Sequence, residues 1–104
     1  MRRIRWLPHA RDDLRRIRDQ IALDSRTNAT RWVTKVQAVV ENLRLFPEAG
    51  ASVPEHHAWR ETFVGSYRVM YRIHGKTIHV MAVVHSARLF PGSLFVRDKE
   101  IDPM

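Results

Sequence analysis

The segment from Trp59 to Arg88 constrains the fold more than any other part of the chain, because its apolar residues recur at every second position. A period of two is typical of β-strands that bury one face. Two glycine-containing breaks, Gly65-Ser66 and Gly75-Lys76, divide the segment and predict three antiparallel strands. Arginines and histidines fill several of the intervening positions. We therefore expect a sheet with one face for a core and the other for a polyanion or an acidic partner.

The second break, Gly75-Lys76, is typical of a two-residue type II′ turn because glycine comes first. This turn fixes the register of the strands on either side, and residues that pair directly share one face. The face expected to pack on helices pairs Ile73 with Ile78, Tyr71 with Val80, Val69 with Ala82 and Tyr67 with Val84. The polar face is expected to carry Arg68, Met70, Arg72, His79, Met81, Val83 and His85. On that face Arg68 is predicted to lie opposite Val83 and diagonal to His85.

The turn between the first two strands is compatible with two registers. A two-residue loop places Arg60 on the helix side, whereas a three-residue loop, Val64–Ser66, turns Arg60 toward Arg68. The longer loop also aligns Trp59 and Phe63 with the apolar face. We favour it because burying each large aromatic side chain stabilises the fold by about 1.5 to 3 kcal/mol.

The N-terminal half predicts one strand followed by two helices. Residues 3–7 alternate like a short strand, and Pro8 is tolerated in the first turn of a helix that is expected to run to about Leu23. Either Thr27 or Asn28 is expected to cap a second helix, which ends at Phe46-Pro47. Because the linker between them is short, the helices are expected to form a hairpin.

Two other segments show no clear period. Residues 47–58 are expected to form a surface loop, and their His56-His57 pair lacks carboxylate or cysteine partners at the spacing of a metal site. Leu94–Val96 is expected to cover one end of the sheet, and residues 97–104 to fray as a tail. The sequence thus predicts a single α+β domain over residues 1–96, in the order β-α-α-β-β-β, with the helical hairpin packed on a small antiparallel-rich sheet.

Composition restricts the class of protein and of partner. The chain of 104 residues suffices for one core, and its net charge of +7 favours nucleic acid, anionic lipid or an acidic protein as a partner. It has no cysteine and no apolar run of membrane-spanning length, so we expect a cytoplasmic protein without disulfides or a membrane partner. Arg11, Arg15 and Arg18 form a basic stripe on the first helix, which we interpret as a solvated face.

Four short patterns, taken in order, resemble the RelE/ParE superfamily of toxins from bacterial type II toxin–antitoxin modules. They are Ala10-x-x-Asp13-Leu14-x-x-Ile17, Leu45-Phe46-Pro47-x-x-Gly50, Tyr67-Arg68-Val69-Met70-Tyr71-Arg72 and Val84-His85-Ser86-Ala87-Arg88. The resemblance covers about residues 3 to 90 and implies the same β-α-α-β-β-β order. It also implies one of two activities, since some members are ribosome-dependent ribonucleases and ParE-like members act on DNA gyrase.

For a ribonuclease, the resemblance implies a base, cations at the scissile phosphate and a proton donor. Arg68 matches the strand arginine under the phosphate, Arg88 approximately matches the arginine after the last strand, and Arg60 matches one of two basic positions in the preceding strand. No tyrosine or histidine follows in residues 89–104, where such nucleases supply one. His85 could stand in as the base, although ParE-like sequences also carry a histidine there.

The absent proton-transfer residue argues against an enzyme and favours a ParE-like toxin that binds DNA gyrase. We expect an acidic cognate antitoxin to neutralise this toxin by forming a hetero-oligomer with it. The predicted contact residues are Arg60, Arg68, Met70, Met81, His85 and Arg88. No cofactor and no metal are expected, and Arg68→Ala and Arg88→Ala are expected to leave the fold intact. The alternatives are a RelE-like endoribonuclease acting on mRNA at the ribosome and a non-toxic basic nucleic-acid-binding module.

Overall fold

The computed structural model describes residues 1–87 and 92–101, which form a single α+β domain. Its elements are β1 (Arg3–Trp6), α1 (Pro8–Asp24), α2 (Arg26–Asn42), β2 (Ala51–Val53), β3 (His56–Val64), β4 (Tyr67–His74), β5 (Thr77–His85) and a C-terminal 3₁₀ helix (Gly92–Glu100). The predicted fold class and element order are confirmed, with β2 as one additional short strand.

The two helices are joined by a single residue, Ser25, which also caps α2. Its Oγ accepts a hydrogen bond from the backbone N–H of Asn28 at 3.1 Å, so that a free donor in the first turn of the helix is satisfied. The predicted caps, Thr27 and Asn28, are therefore wrong, and Asn28 instead supplies the donor. Pro8 opens α1 as expected, and so short a link makes α1 and α2 pack as a hairpin.

The sheet has the order β1-β5-β4-β3-β2, in which β1 is parallel to β5 and all other neighbours are antiparallel. Trp32 of α2 contacts the ring of Tyr67 in β4, with ring centroids 5.1 Å apart. We call the face that carries Tyr67 the helical face. The opposite side, the distal face, carries Trp59, Glu61, Arg68, Met70, Arg72 and His79.

The turn between β3 and β4 contains two residues, Gly65 and Ser66, and Gly65 has a φ of 59°. Val64 therefore pairs with Tyr67, and Phe63 pairs with Arg68. The predicted three-residue loop is wrong, so every side chain of β3 points to the face opposite the one we expected.

The expectation failed because both faces of the sheet are covered. Trp59 is fully buried on the distal face, where its ring lies 5.7 Å from that of Phe95 in the C-terminal helix. Burial of Trp59 thus does not require the helical face, and Arg60 occupies that face instead, paired with Tyr71.

The turn between β4 and β5 follows the prediction, but the register changes within the strands. Gly75 has a φ of 61°, and Ile73 pairs with Ile78 and Tyr71 with Val80 as expected. Met81 is then an extra residue, and beyond this bulge the pairs are Met70 with Ala82, Val69 with Val83, Arg68 with Val84 and Tyr67 with His85. The predicted pairs of Val69 with Ala82 and Tyr67 with Val84 are wrong, because a bulge reverses the faces of the residues that follow it. His85 consequently lies on the helical face.

Residues 47–58 are not a free loop. The hydroxyl of Tyr71 donates to the carbonyl oxygen of Pro47 at 2.7 Å and accepts from the backbone N–H of Gly50 at 2.9 Å, which fixes the segment to the sheet. The next residues form β2, and β3 already begins at His56. A Cβ atom at Gly50 would lie 2.5 Å from the carbonyl oxygen of Glu61, so this approach requires glycine.

Residues 97–101, expected to fray, lie against the rest of the domain instead. The guanidinium of Arg97 donates to Asp13 of α1 at 2.7 Å and to the carbonyl oxygen of Met81 at 2.8 Å. Leu94, earlier in the same helix, is buried in the core. These long-range contacts order a segment that has no periodic pattern of its own. Residues 102–104 lie outside the described part of the chain.

Candidate functional site

Arg68 lies on the distal face of β4, where two carboxylates enclose its guanidinium. Nε donates to Glu61 Oε1 at 2.7 Å, and Nη2 donates to Glu61 Oε2 and to Glu55 Oε1, each at 3.3 Å. Only 8% of the residue is exposed. The two-residue turn before β4 is responsible, because it places Glu61 on the same face as Arg68. The arginine matched to a phosphate-binding position is thus neutralised within the chain.

The ionisation of this cluster follows from the same contacts. Burial opposes the charge of Arg68, but the hydrogen bonds to Glu61 and Glu55 outweigh it and raise the pKa of the guanidinium above its ordinary value. The hydrogen bond from Arg68 likewise lowers the pKa of Glu55. Arg68 and Glu55 are therefore both charged at neutral pH, as a stable ion pair requires.

Met70 and Met81, predicted to form an exposed apolar surface for a partner, are fully buried. Both belong to the main core cluster, which also contains Trp59 and Leu94. The C-terminal helix supplies Leu94, so this helix contributes to the cluster in which both methionines are buried. Neither methionine is accessible to a partner in this structure.

His85 is exposed at the end of β5, on the helical face and not beside Arg68. Its ring lies 5.1 Å from that of Tyr67 in an edge-on arrangement, and Nδ1 accepts from the backbone N–H of Ala87 at 3.1 Å. His85 borders an open groove of about 440 Å³ between α1 and the end of β5. The other residues of this groove are Arg16, Ile17, Gln20, Ile21, Asp24, Tyr67, Val83 and Val84.

The two remaining predicted contact residues lie apart from this groove or beyond description. Arg60 is half-buried on the helical face and donates from Nη1 to the carbonyl oxygen of Gly50 at 2.8 Å. Arg88 lies outside the described residues. The structure therefore does not bring Arg60, Arg68 and His85 together into one site.

Asp98, in the C-terminal helix, bonds to three side chains of β3 and β4, and the sequence had not indicated it. Its Oδ1 accepts from Trp59 Nε1 at 2.8 Å and from Arg72 Nη1 at 2.9 Å, and its Oδ2 lies 2.8 Å from His56 Nε2. Burial opposes its charge, but these hydrogen bonds outweigh it and lower the pKa of Asp98. No local pattern in the tail marks this aspartate, since all three partners are distant in sequence.

Asp13 is a second buried carboxylate with a structural role, only 3% exposed. Its Oδ2 accepts from the backbone N–H of Val83 at 3.1 Å and from Arg97 at 2.7 Å. Arg97 also donates to the carbonyl oxygen of Met81. Asp13 and Arg97 thereby bond to backbone groups of β5 beyond Val80, where its pairing with β1 ends. Here a sequence signal existed, because Asp13 falls three residues after Ala10 and four before Ile17, within the apolar stripe of α1.

Among the described residues, the structure separates the two groups that the resemblance assigns to ribonuclease chemistry, Arg68 and His85. Phosphodiester cleavage needs cations that are free to contact the phosphate, with a base nearby. Among the described residues, Arg68 is already bound by Glu61, and His85 lies on the opposite face of the sheet.

The described residues contain no group of three or more histidines and carboxylates that could hold a metal ion. Within residues 1–87 and 92–101, no helix has both the length and the apolar character needed to cross a bilayer.

Comparison with known proteins gives a family and a fold. The sequence model for the ParE toxin of type II toxin–antitoxin system, parDE, matches residues 4–90. Among curated proteins, no sequence matches the chain significantly. A chain of the solved chromosomal ParDE TA system from P. aeruginosa is similar in structure, with a TM-score of 0.60 and 24% sequence identity over 82% of this chain and 96% of that chain. At this identity, the structural likeness establishes the fold alone.

Proposed function

Because the chain belongs to the ParE toxin family of type II toxin–antitoxin systems, we propose that it inhibits DNA gyrase and that a cognate antitoxin neutralises it. We choose gyrase over messenger RNA as the target because Arg68 forms ion pairs within the chain. Its guanidinium is bound by Glu61 and Glu55, so it is not available to a scissile phosphate. A toxin that acts by binding a protein needs no such cation. Gyrase acts on the chromosome, so the proposed site of action is the cytoplasm.

The proposed contact surface for the antitoxin is the groove beside His85. The groove combines apolar side chains of α1 and β5 with Arg16 and the exposed imidazole, a combination that suits an amphipathic acidic segment. The net charge of +7 favours the same kind of partner. Arg60 and Arg88 remain proposed contacts, whereas Arg68, Met70 and Met81 are too deeply buried to serve without rearrangement.

The target is tested by expressing the chain inducibly and assaying gyrase supercoiling, double-strand breaks and ribosome-bound message in the same cells. We expect supercoiling to fall and broken DNA to accumulate while message stays intact. Message cut on the ribosome with supercoiling unaffected would instead assign the RelE-type ribonuclease activity. Purified gyrase with the purified chain repeats the comparison without other cellular components.

The antitoxin surface is tested by co-expressing the small neighbouring reading frame, which is expected to restore growth and to co-purify with the chain. His85→Ala should weaken this complex by about tenfold, the loss typical of one well-placed interface side chain. His57→Ala is the matched control, because His57 is also exposed but lies in β3, outside the groove. Equal affinity of both variants and the unaltered chain would place the antitoxin elsewhere.

A further inference from the structure

Three neighbouring strands bring a cluster of basic side chains to one corner of the distal face. Directly paired residues share a face, so the registers β1–β5 and β5–β4 define two short rows across the sheet. The rows are Arg3, Thr77 and His74 in one, and Arg5, His79 and Arg72 in the other. We call these six residues the basic platform. From standard strand geometry, their Cα atoms occupy an area of about 10 by 7 Å.

Most of the positive charge on the platform is not compensated. Arg3 and Arg5 are exposed, and so is Lys76 in the adjacent turn. In the described part of the chain, none of these three cations has a carboxylate within ion-pair distance. Arg5 reaches only a backbone carbonyl oxygen, that of Glu100, at 3.4 Å. The platform therefore presents a local excess of positive charge to solvent.

His79, between the two arginines of the second row, is 7% exposed, and its Nδ1 has no hydrogen-bond partner among residues 1–87 and 92–101. Burial and the positive charge of Arg5, His74 and Arg72 lower the pKa of this imidazole, which keeps it neutral at pH 7. A buried polar atom without a hydrogen bond destabilises the fold, so the described residues leave this position incomplete. Arg72 is already paired with Asp98 at 2.9 Å, so an anion beside Arg5 would compensate that arginine and stabilise a charged imidazole.

We propose that the basic platform binds the phosphodiester backbone of nucleic acid. A repeated anion suits cations that stand in rows, and arginine binds phosphate oxygens with two parallel hydrogen bonds. A protein partner fits less well, because interfaces between proteins are organised around buried apolar anchors. The accessible groups of the platform, Arg3, Arg5, His74 and Thr77, are all polar. This inference does not depend on gyrase being the target.

The test measures binding of the purified full chain to fluorescently labelled duplex DNA and single-stranded RNA of mixed sequence, at about 50 and 200 mM salt. The test variant is Arg3→Gln with Arg5→Gln. The matched control is Arg31→Gln with Lys35→Gln, which removes the same charge from exposed positions on α2. Circular dichroism and thermal unfolding check that all three proteins are folded.

We expect the platform variant to lose about tenfold in affinity, while the affinity of the control changes less than about twofold. The slope of log affinity against log salt concentration should decrease in the platform variant by the amount expected for about two phosphate contacts. A preference for DNA or RNA in the unaltered chain identifies the source of the phosphodiester. Equal losses in both variants, or no binding to either nucleic acid, would overturn the proposal. So would platform-dependent binding of polyglutamate when neither nucleic acid binds.

A second measurement locates the bound backbone. The imidazole NMR signals of His79 are expected to shift when a short oligonucleotide is added to the unaltered chain, and to stay in place in the variant with Arg3→Gln and Arg5→Gln. A shift confined to the exposed imidazole of His85 would place the nucleic acid on the helical face and refute the assignment.

Discussion

At the scale of single residues, the pair of Arg68 and Glu61 shows how a position that matches a catalytic pattern can have a structural role. Each side chain is about 10% exposed or less, and the two share two hydrogen bonds. Within a buried pair, each charge makes the burial of the other tolerable. We expected Arg68→Ala to leave the fold intact. The structure instead leads us to expect that this substitution destabilises the fold.

We predict that Arg68→Ala lowers the free energy of unfolding by about 3 kcal/mol, because Glu61 would remain buried without its partner. Urea unfolding followed by circular dichroism measures the loss. Replacing both partners, with Arg68→Met and Glu61→Leu, should restore most of the stability, since neither member of the pair then leaves a buried charge. An unchanged urea midpoint for Arg68→Ala alone would contradict the structural role.

At the scale of elements, the C-terminal helix depends on contacts with the rest of the domain. It runs for nine residues as a 3₁₀ helix, whereas such helices seldom exceed three or four residues because their hydrogen bonds are poorly aligned. Asp98 and Arg97 hold it in place through Trp59, Arg72 and Asp13. The helix in turn covers Trp59 on the distal face, where the ring of Phe95 lies 5.7 Å away.

Asp98→Ala should release the C-terminal helix while leaving the sheet and α1 folded. Trp59 and Arg72 would each lose a hydrogen-bond acceptor, which predicts a loss of about 1 to 3 kcal/mol in local stability. Amide hydrogen exchange should become faster in residues 92–101 and remain slow in β4. Lys99→Ala, at an exposed neighbouring position, is the control. Uniformly faster exchange across the domain would indicate global destabilisation instead.

Local patterns predicted the elements well and their faces only in part. The period of two in β4 correctly assigned Tyr67 and Tyr71 to the helical face, and Gly75 correctly placed the second turn. The bulge at Met81 has no local sequence signal, and the side chains that bond to the backbone beside it, Asp13 and Arg97, come from distant parts of the chain. The burial of the distal face was missed for the same reason. His85 was therefore predicted on the polar face beside Arg68, whereas it lies exposed on the helical face, opposite Tyr67.

At the scale of the whole molecule, the core has two sides, since the helical hairpin covers one face of the sheet and the C-terminal helix covers much of the other. Titratable groups are consequently buried on the distal face as well. His79 is the clearest case, because burial and then the charges of Arg5, His74 and Arg72 lower its pKa below the ordinary value of 6.5. Between pH 6.5 and the lower pKa of the folded state, the unfolded chain binds a proton at this position that the folded chain does not.

We therefore predict that the contribution of His79 to stability is fully present above pH 6.5 and decreases as the pH falls from 6.5 through the lower pKa of the folded state. Chemical unfolding between pH 7 and pH 5 measures it. His79→Gln should give a flatter pH profile, because the titrating group is gone. A profile as steep as that of the unaltered chain would assign the pH dependence to other groups.

The ion pair of Asp13 and Arg97 joins residues that are 84 positions apart. Both side chains also bond to backbone groups of β5. During synthesis, Asp13 leaves the ribosome long before Arg97 does. Until residues 94–97 emerge, the growing chain presents Trp59 without the ring contact that Phe95 later provides. Folding of the distal face is thus tied to synthesis through Arg97, and a product truncated before this residue would expose an apolar surface to chaperones and proteases.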